Sequence, residues 1–329
     1  MAATKNEIRK AILKFAYECY LEGSGHHVML QRMEAEWHRT DEGFSTCEAL
    51  EREGLVKMQS SEVLALEEIN VRNIERKGAV PAELIARARD MRESILIAAL
   101  EQEEAGDSDP RIKSVLSAAG IEKEAGWAQL QYLESLSLLE CTIDMSLGRM
   151  TLTELGRDDA RVARRWRALS SEYERMKRLE GFTPQSRGRR LDHLVAEAAR
   201  LDAWDAVAKV NARGEENDVI ANKNHVFWYV SNKWEKEDAP CEAGALHELA
   251  GHLQSRGGGN GVLVSASGFS EGVRESISEK LAAGARIILF GPKDLDDLLL
   301  RRRTFSELVE EKEKVLEHVR RPLVDGEQW

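Results

Sequence analysis

Two positions in the last third of the chain carry side chains suited to joint work on a phosphate. Asp218 follows Gly214-Glu215-Glu216-Asn217 and precedes the apolar pair Val219-Ile220. A carboxylate at a strand edge after a glycine turn is a common place to hold a hard cation. Lys233 lies in Tyr229-Val230-Ser231-Asn232-Lys233-Trp234, and the two-residue period of a strand puts Ser231, Lys233 and Glu235 on one face. A carboxylate on one strand and a lysine on the next is the layout of metal-assisted phosphodiester hydrolysis. There a carboxylate-bound Mg²⁺ polarises the phosphate and lowers the pKa of the attacking water, while the lysine orients that water or neutralises developing charge.

The elements that must position these groups begin near residue 188. RRLDHLVAEAARLDAW reads as an amphipathic helix, and DAVAKVNA, DVIANKN and HVFWYVSNKW as short strands between turn residues. ALHELAGHLQSR (helix), GVLVSAS (buried strand), SEGVRESISEKLAAG (helix) and ARIILFGP (buried strand) follow, then helices at DLDDLLL and FSELVEEKEKVLEHVRR. Strands alternating with crossover helices imply an α/β domain with a mixed sheet covered on both faces.

The first half has a different rhythm. Residues 6–22 carry a helical apolar stripe. A second helix is expected over HHVMLQRMEAEW and a third over FSTCEALEREG, stopping at Gly54, with two extended pieces in LVKMQSSEVLALEEI. The order repeats: helices over ARARDMRESILIAALEQEEAG, RIKSVLSAAG and IEKEAGWAQLQYLESLS, then a hairpin in LLECTIDMSLGRMTLTELGR. Helix, helix, helix, hairpin is the layout of a winged-helix module. LQYLESLSLLECTIDMSLGRMTLTELGR resembles a wing, and LEREGLVKM is a weaker copy of it. The reading is two mostly α winged-helix modules, 1–80 and 86–160, a basic linker helix 161–187, an α/β domain 188–300 and a charged C-terminal helix 301–329. The third helices are acidic (Glu48, Glu51, Glu53; Glu122, Glu124, Glu134), so base reading by them is disfavoured against phosphate repulsion. Dimerisation or docking of a protein partner is the competing use.

Charge is uneven. The net value is −11 over 329 residues, but residues 161–190 hold ten basic and three acidic side chains. If DNA is a partner, Arg161, Arg164, Arg165, Arg167, Arg187, Arg189 and Arg190 are the expected phosphate contacts. The alternative is an Arg-rich linker that salt-bridges to acidic neighbours. No run of 18 apolar residues occurs, so no membrane helix is expected. The N-terminus has no apolar signal region, and the four cysteines form no close pair, so a reducing cytoplasm is expected.

The string GRRLDHLV…GEENDVIA…VFWYVSNKWEKEDAP…GVLVSASGFSEG…ARIILFGPKDLDDLL resembles the restriction-endonuclease-like domain of Mrr-type proteins, within the PD-(D/E)-x-K nuclease superfamily. The resemblance covers about a third of the chain. It implies a metal-binding Asp at Asp218, a catalytic Lys at Lys233, Mg²⁺ or Mn²⁺ as cofactor, DNA as substrate and a setting in defence against foreign DNA; a homodimer is expected because two strand cuts need two sites. It also implies Glu or Gln at position 231, where this chain has Ser231. Asp192, which matches a helix acid often seen in the family, is the first replacement considered, with Glu197, Glu216 and Glu235 behind it. The competing reading is a fold kept for binding nucleic acid or protein, with Asp218 and Lys233 as relics of a lost activity.

Two other signals carry no chemistry. In His247-Glu248-Leu249-Ala250-Gly251-His252 the second histidine falls at i+5, off the face a zinc pair needs. Gly257-Gly258-Gly259-Asn260-Gly261 lacks the G-K-[ST] of a phosphate loop and reads as a turn before a strand.

Overall fold

The computed structural model describes residues 4–23, 28–29, 41–60, 63–142, 148–212, 215–234, 239–282 and 285–320. Contacts divide the chain into two compact units, Met1–Arg164 and Arg165–Trp329.

The first unit opens with α1 (Lys5–Leu21), capped by Thr4 and Glu7, whose side chains each accept a hydrogen bond from the other's backbone N–H. Its stripe Ile8, Ile12, Leu13, Ala16, Tyr17 and Tyr20 is buried, as the helical period requires. Then come β1 (Val28–Met29), α2 (Asp41–Arg52), β2 (Lys57–Ser60), β3 (Val63–Ala65) and α3 (Glu68–Lys77). The helix expected over HHVMLQRMEAEW is corrected at its start. Val28 and Met29 are extended and pair antiparallel with Leu64 and Val63, satisfying the backbone of a strand that would otherwise be an open edge. The rest of that segment lies outside the described residues.

The second set is α4 (Ala82–Glu104), α5 (Ile112–Ala118), α6 (Lys123–Ser135) and a hairpin of β4 (Leu139–Thr142) and β5 (Arg149–Leu152), the order expected from the sequence. Its expected turn at Ser146-Leu147 lies outside the described residues. The two sets share one turn in detail. After α2, Gly54 N–H donates to Glu51 O and Leu55 N–H to Leu50 O; after α6, Ser137 N–H donates to Glu134 O and Leu138 N–H to Leu133 O. Gly54 and Ser137 both take positive φ, 70° and 59°. Glu51 then accepts the N–H of Met58 at 2.8 Å, and Glu134 that of Cys141 at 3.0 Å. These acids fasten each helix to its hairpin.

A buried polar hub joins the two sets. Glu75 on α3 accepts from Tyr17 Oη at 2.5 Å, Tyr132 Oη at 3.1 Å and Arg92 Nη2 at 2.7 Å, while Arg92 lies 4.0 Å over the Tyr132 ring. Burial, then the Glu75 charge, pushes the Tyr17 hydroxyl well above the usual phenol range, so it stays a donor.

The division between the units falls within α7 (Glu154–Lys177), the helix that follows. The basic segment expected as one linker helix is instead the end of α7 and the start of α8 (Pro184–Leu201). Leu179 and Gly181 break the path with positive φ, and Thr183 and Pro184 restart it as N-cap and first helical residue.

The second unit is built on a five-stranded mixed sheet in the order β10-β9-β8-β7-β6. Strands β6 (Asp205–Ala212), β7 (Glu215–Lys223) and β8 (Val226–Lys233) form an antiparallel meander; β9 (Asn260–Ser265) and β10 (Arg286–Phe290) continue parallel to β8. Helix α9 (Ala243–Ser255) leads into β9, α10 (Glu271–Ala282) into β10, and α11 (Pro292–Leu299) and α12 (Phe305–Arg320) close the chain. Helix α8 packs on β6, β7 and β8; the Leu246, Leu249, Ala250 and Leu253 face of α9 packs with Tyr229, Leu263 and Ile287. Among the described residues, no helix is long and apolar enough to cross a membrane.

Two stability changes follow. Glu75→Ala strands the buried Arg92 charge and is expected to cost about 3 kcal/mol or more, read from the urea midpoint of the full chain. Ser137→Gly removes the left-handed penalty that Gly54 already avoids and is expected to stabilise by about 1 kcal/mol in the same assay; no gain would mean that the serine side chain compensates for its strain.

Candidate active site

The alternation along β8 sorts its side chains. Trp228, Val230, Asn232 and Trp234 are buried on the face toward α8, and Tyr229, Ser231 and Lys233 turn to the other, where Tyr229 packs with α9. On β7, Val219 pairs with Val230 and is fully buried, and strand alternation turns its neighbour Asp218 to the other face, that of Ser231 and Lys233. Asp218 is three residues inside β7 rather than at its edge.

The β7–β8 ladder runs from Lys223↔Val226 to Val219↔Val230. Beyond it, the N–H of Asn232 donates to Asp218 Oδ2 at 2.6 Å. The carboxylate takes up a donor that the ladder no longer serves, and this charge-assisted bond fixes Asp218 beside the end of β8. The Asn232 side chain points the other way, its Nδ2 donating to Asp192 Oδ1 on α8 at 3.1 Å. Asp192 and Asn232 are 5% and 8% exposed, so this bond is interior. One asparagine therefore engages both the strand acid, through its backbone, and the helix acid, through its side chain.

The expected site residues separate accordingly. Asp218, Ser231 and Lys233 share a face at the end of β8. Asp192 is held through Asn232 from the α8 face. Glu197 is ion-paired with Arg165 and Arg200, on the outer side of α8. The side chain of Glu216 and the whole of Glu235 lie outside the described residues. Sequence reasoning passed over two side chains. Asn232 was legible as the one polar residue in the buried alternation Trp228, Val230, Trp234. Glu248 on α9 lies with Oε2 3.7 Å from Lys233 Nζ, at a recess of about 210 Å³ that both residues line. The sequence marks it only within His247-Glu248-Leu249-Ala250-Gly251-His252, a string whose spacing points to no site with Lys233.

A restriction-type domain implies a divalent cation. Mg²⁺ keeps several waters and takes one or two carboxylates together with phosphate oxygens of the substrate. Asp218 is a hard oxygen donor of that type, whereas the Ser231 hydroxyl on its face is a weak ligand and the Lys233 ammonium cannot be one. Among the described residues, no three His, Cys, Asp or Glu side chains converge closely enough to cage one. Two of the four thiols are deactivated: burial pushes the Cys47 thiol up to about 11, and burial with Glu134 nearby pushes Cys141 up to about 12.

The arginines of the basic segment are largely engaged. Arg161 pairs with Asp158, Arg164 with Glu104, Arg165 with Glu197 and Arg190 with Glu172. Arg187 is buried, its guanidinium 5.1 Å from the centre of the Trp234 ring. Arg167 and Arg189 are exposed.

Replacing Asn232 by Asp would set a second carboxyl about 3 Å from Asp192 in a buried site. Burial and the like charge raise the folded-state carboxyl pKa, so stability is present below the ordinary carboxylate range and lost as pH rises through the raised value. Thermal melts from about pH 4 to about pH 8 should show Asn232→Asp falling progressively below wild type, by about 3 kcal/mol at neutral pH. A pH-independent deficit would mean that the two groups do not interact.

No curated protein matches the chain. Among solved structures, the chain is similar to that of a protein of unknown function, AF1548, at 14% identity and a TM-score of 0.28, over 41% of this chain and 89% of that one. Residues 184–299, the stretch from α8 to α11 that carries Asp192, Asp218, Asn232, Lys233 and Glu248, match the family model Mrr_cat, described as restriction endonuclease.

Proposed function

We propose that this chain is a DNA-acting protein whose C-terminal domain hydrolyses phosphodiester bonds in the manner of a restriction endonuclease, in defence against foreign DNA. The observation that carries the reading is the matched domain together with the common face of Asp218 and Lys233 on neighbouring strands. Asp218 would hold Mg²⁺ or Mn²⁺, which when bound supplies Lewis acidity to the phosphate and a more acidic water. The Lys233 ammonium sits where it can neutralise charge building on the non-bridging oxygens or hold the attacking water. The oxygen of water bonds to phosphorus, one P–O bond to a sugar breaks, and the departing oxygen takes a proton, leaving a phosphomonoester and a hydroxyl.

The two helical sets with their hairpins act on this reading as winged-helix modules. The acidic third helices repel phosphate, so these modules serve pairing of copies or protein partners rather than base reading, and Glu51, Glu53 and Glu134 have structural roles on hairpins and with Arg9. Arg189, exposed near the start of α8, is the basic-segment side chain best disposed for phosphate. A homodimer would deliver cuts to both strands.

A second reading, in which the domain binds DNA without cutting it, is favoured by Ser231, a neutral hydroxyl where the resemblance implies an acid or amide. Nicking of supercoiled plasmid with Mg²⁺ or Mn²⁺ separates the two. Cleavage by wild type, reduced at least about a hundredfold in Lys233→Ala and in Asp218→Ala, supports the enzyme. Binding that weakens with salt, with no cleavage by wild type on modified or unmodified DNA, moves the assignment to the second reading.

A further inference from the structure

Position 231 is the weak point of the site, and the four carboxylates on which a sequence reading would fall back are engaged elsewhere or, like the side chain of Glu216, lie outside the described residues. Asp192 is engaged by Asn232 from the opposite face of the sheet. Glu197 is paired with two arginines. Glu235 belongs to a segment that is not described.

We propose that Glu248, on α9, is the second carboxylate of this site and stands in for the acid that position 231 lacks; the assignment rests on the nuclease reading above.

The fold brings Glu248 there from far along the chain. Helix α9 covers the face of β8 that bears Tyr229, Ser231 and Lys233. Its apolar positions Leu246, Leu249, Ala250 and Leu253 face the sheet, which leaves Glu248 on the flank beside the end of β8. The start of the helix is fixed by backbone: Cys241 N–H donates to Gly268 O at 2.9 Å, and Ser270 N–H to Cys241 O at 3.1 Å. Glu248 is thus carried on a rigid element anchored to the loop after β9, while its own side chain keeps freedom at the tip.

The contact with Lys233 is not one the fold needs. The Glu248 and Lys233 side chains are 58% and 28% exposed and 3.7 Å apart, the kind of ion pair that contributes little to stability and rearranges readily. What it does is hold a negative charge against the amine that the mechanism requires, on the face where Asp218 lies. A glutamate on the covering helix reaches Lys233 at the recess that Lys233, Glu248 and Ser265 line. Two carboxylates, Asp218 on β7 and Glu248 on α9, with waters and substrate phosphate completing the shell, are the complement a hard cation of this type takes. Glu242 lines the same recess at the N-cap of α9 and makes no side-chain cap bond, so it is the natural control.

The test uses the full chain and Mn²⁺ alone, followed by electron paramagnetic resonance of the free ion, with plasmid nicking in parallel. Wild type and Glu242→Gln are expected to bind Mn²⁺ alike. Glu248→Gln should bind at least about tenfold more weakly with an unchanged melting temperature, because the residue is exposed. The double variant Ser231→Glu/Glu248→Gln should recover both binding and nicking, which a merely structural role for Glu248 would not allow. Binding and nicking by Glu248→Gln equal to wild type overturn the assignment and leave the nuclease reading standing. A wild type that neither binds Mn²⁺ nor nicks DNA overturns the nuclease reading, and this assignment with it.

Discussion

The register between β7 and β8 is the constraint on which the second unit depends. Side chains alternate along a strand, so a slip of one residue would send Asp218 to the α8 side and bring Val219 to the open face. Burial forbids it: Val219 and Ala221 on β7, with Trp228 and Val230 on β8, fill the space under α8. The same packing that forms the core therefore holds Asp218, Ser231 and Lys233 on the other side, at the end where the ladder stops. Asn232 completes the arrangement, because its backbone engages Asp218 and its side chain engages Asp192.

The first unit answers a different problem, that of seating two similar helix–hairpin sets against each other. The repeated turn, with its left-handed residue at Gly54 and Ser137 and its glutamate bonded to the hairpin, makes each set internally rigid. The Glu75 hub then supplies a buried, directional link among α1, α3, α4 and α6. A buried charge pair is costly to desolvate, and here three further donors and acceptors are arrayed to satisfy it. Nonpolar contact would hold the helices together at many angles; the hydrogen bonds at Glu75 are met at few.

Charge is distributed by the same logic of local satisfaction. The basic run looked like a strip for phosphate, yet Arg161, Arg164, Arg165 and Arg190 meet acids close by and Arg187 is taken into the interior over Trp234. Each exposed pair is weak and can be exchanged for a phosphate, since pairs in water contribute about 0–1 kcal/mol. Arg187 is different, because its burial makes it part of the framework under α8.

The sequence by itself determined the elements of the second unit, since period-two and period-3.6 patterns there coincide with Gly and Pro punctuation. It also marked Asp218, Ser231 and Lys233 as neighbours, because strand alternation and a hairpin are local rules. The repeat of helix, turn and hairpin was legible in LEREGLVKM and LESLSLLEC for the same reason. Tertiary structure alone decided the rest. Val28 and Met29 became a strand because a distant edge needed pairing, which overrode a helical pattern. The partition of the carboxylates, with Asp192 drawn to Asn232, Glu197 to arginine and Glu248 to Lys233, depends on which helix covers which face of the sheet. That is a long-range outcome of packing, and no spacing within a single element encodes it.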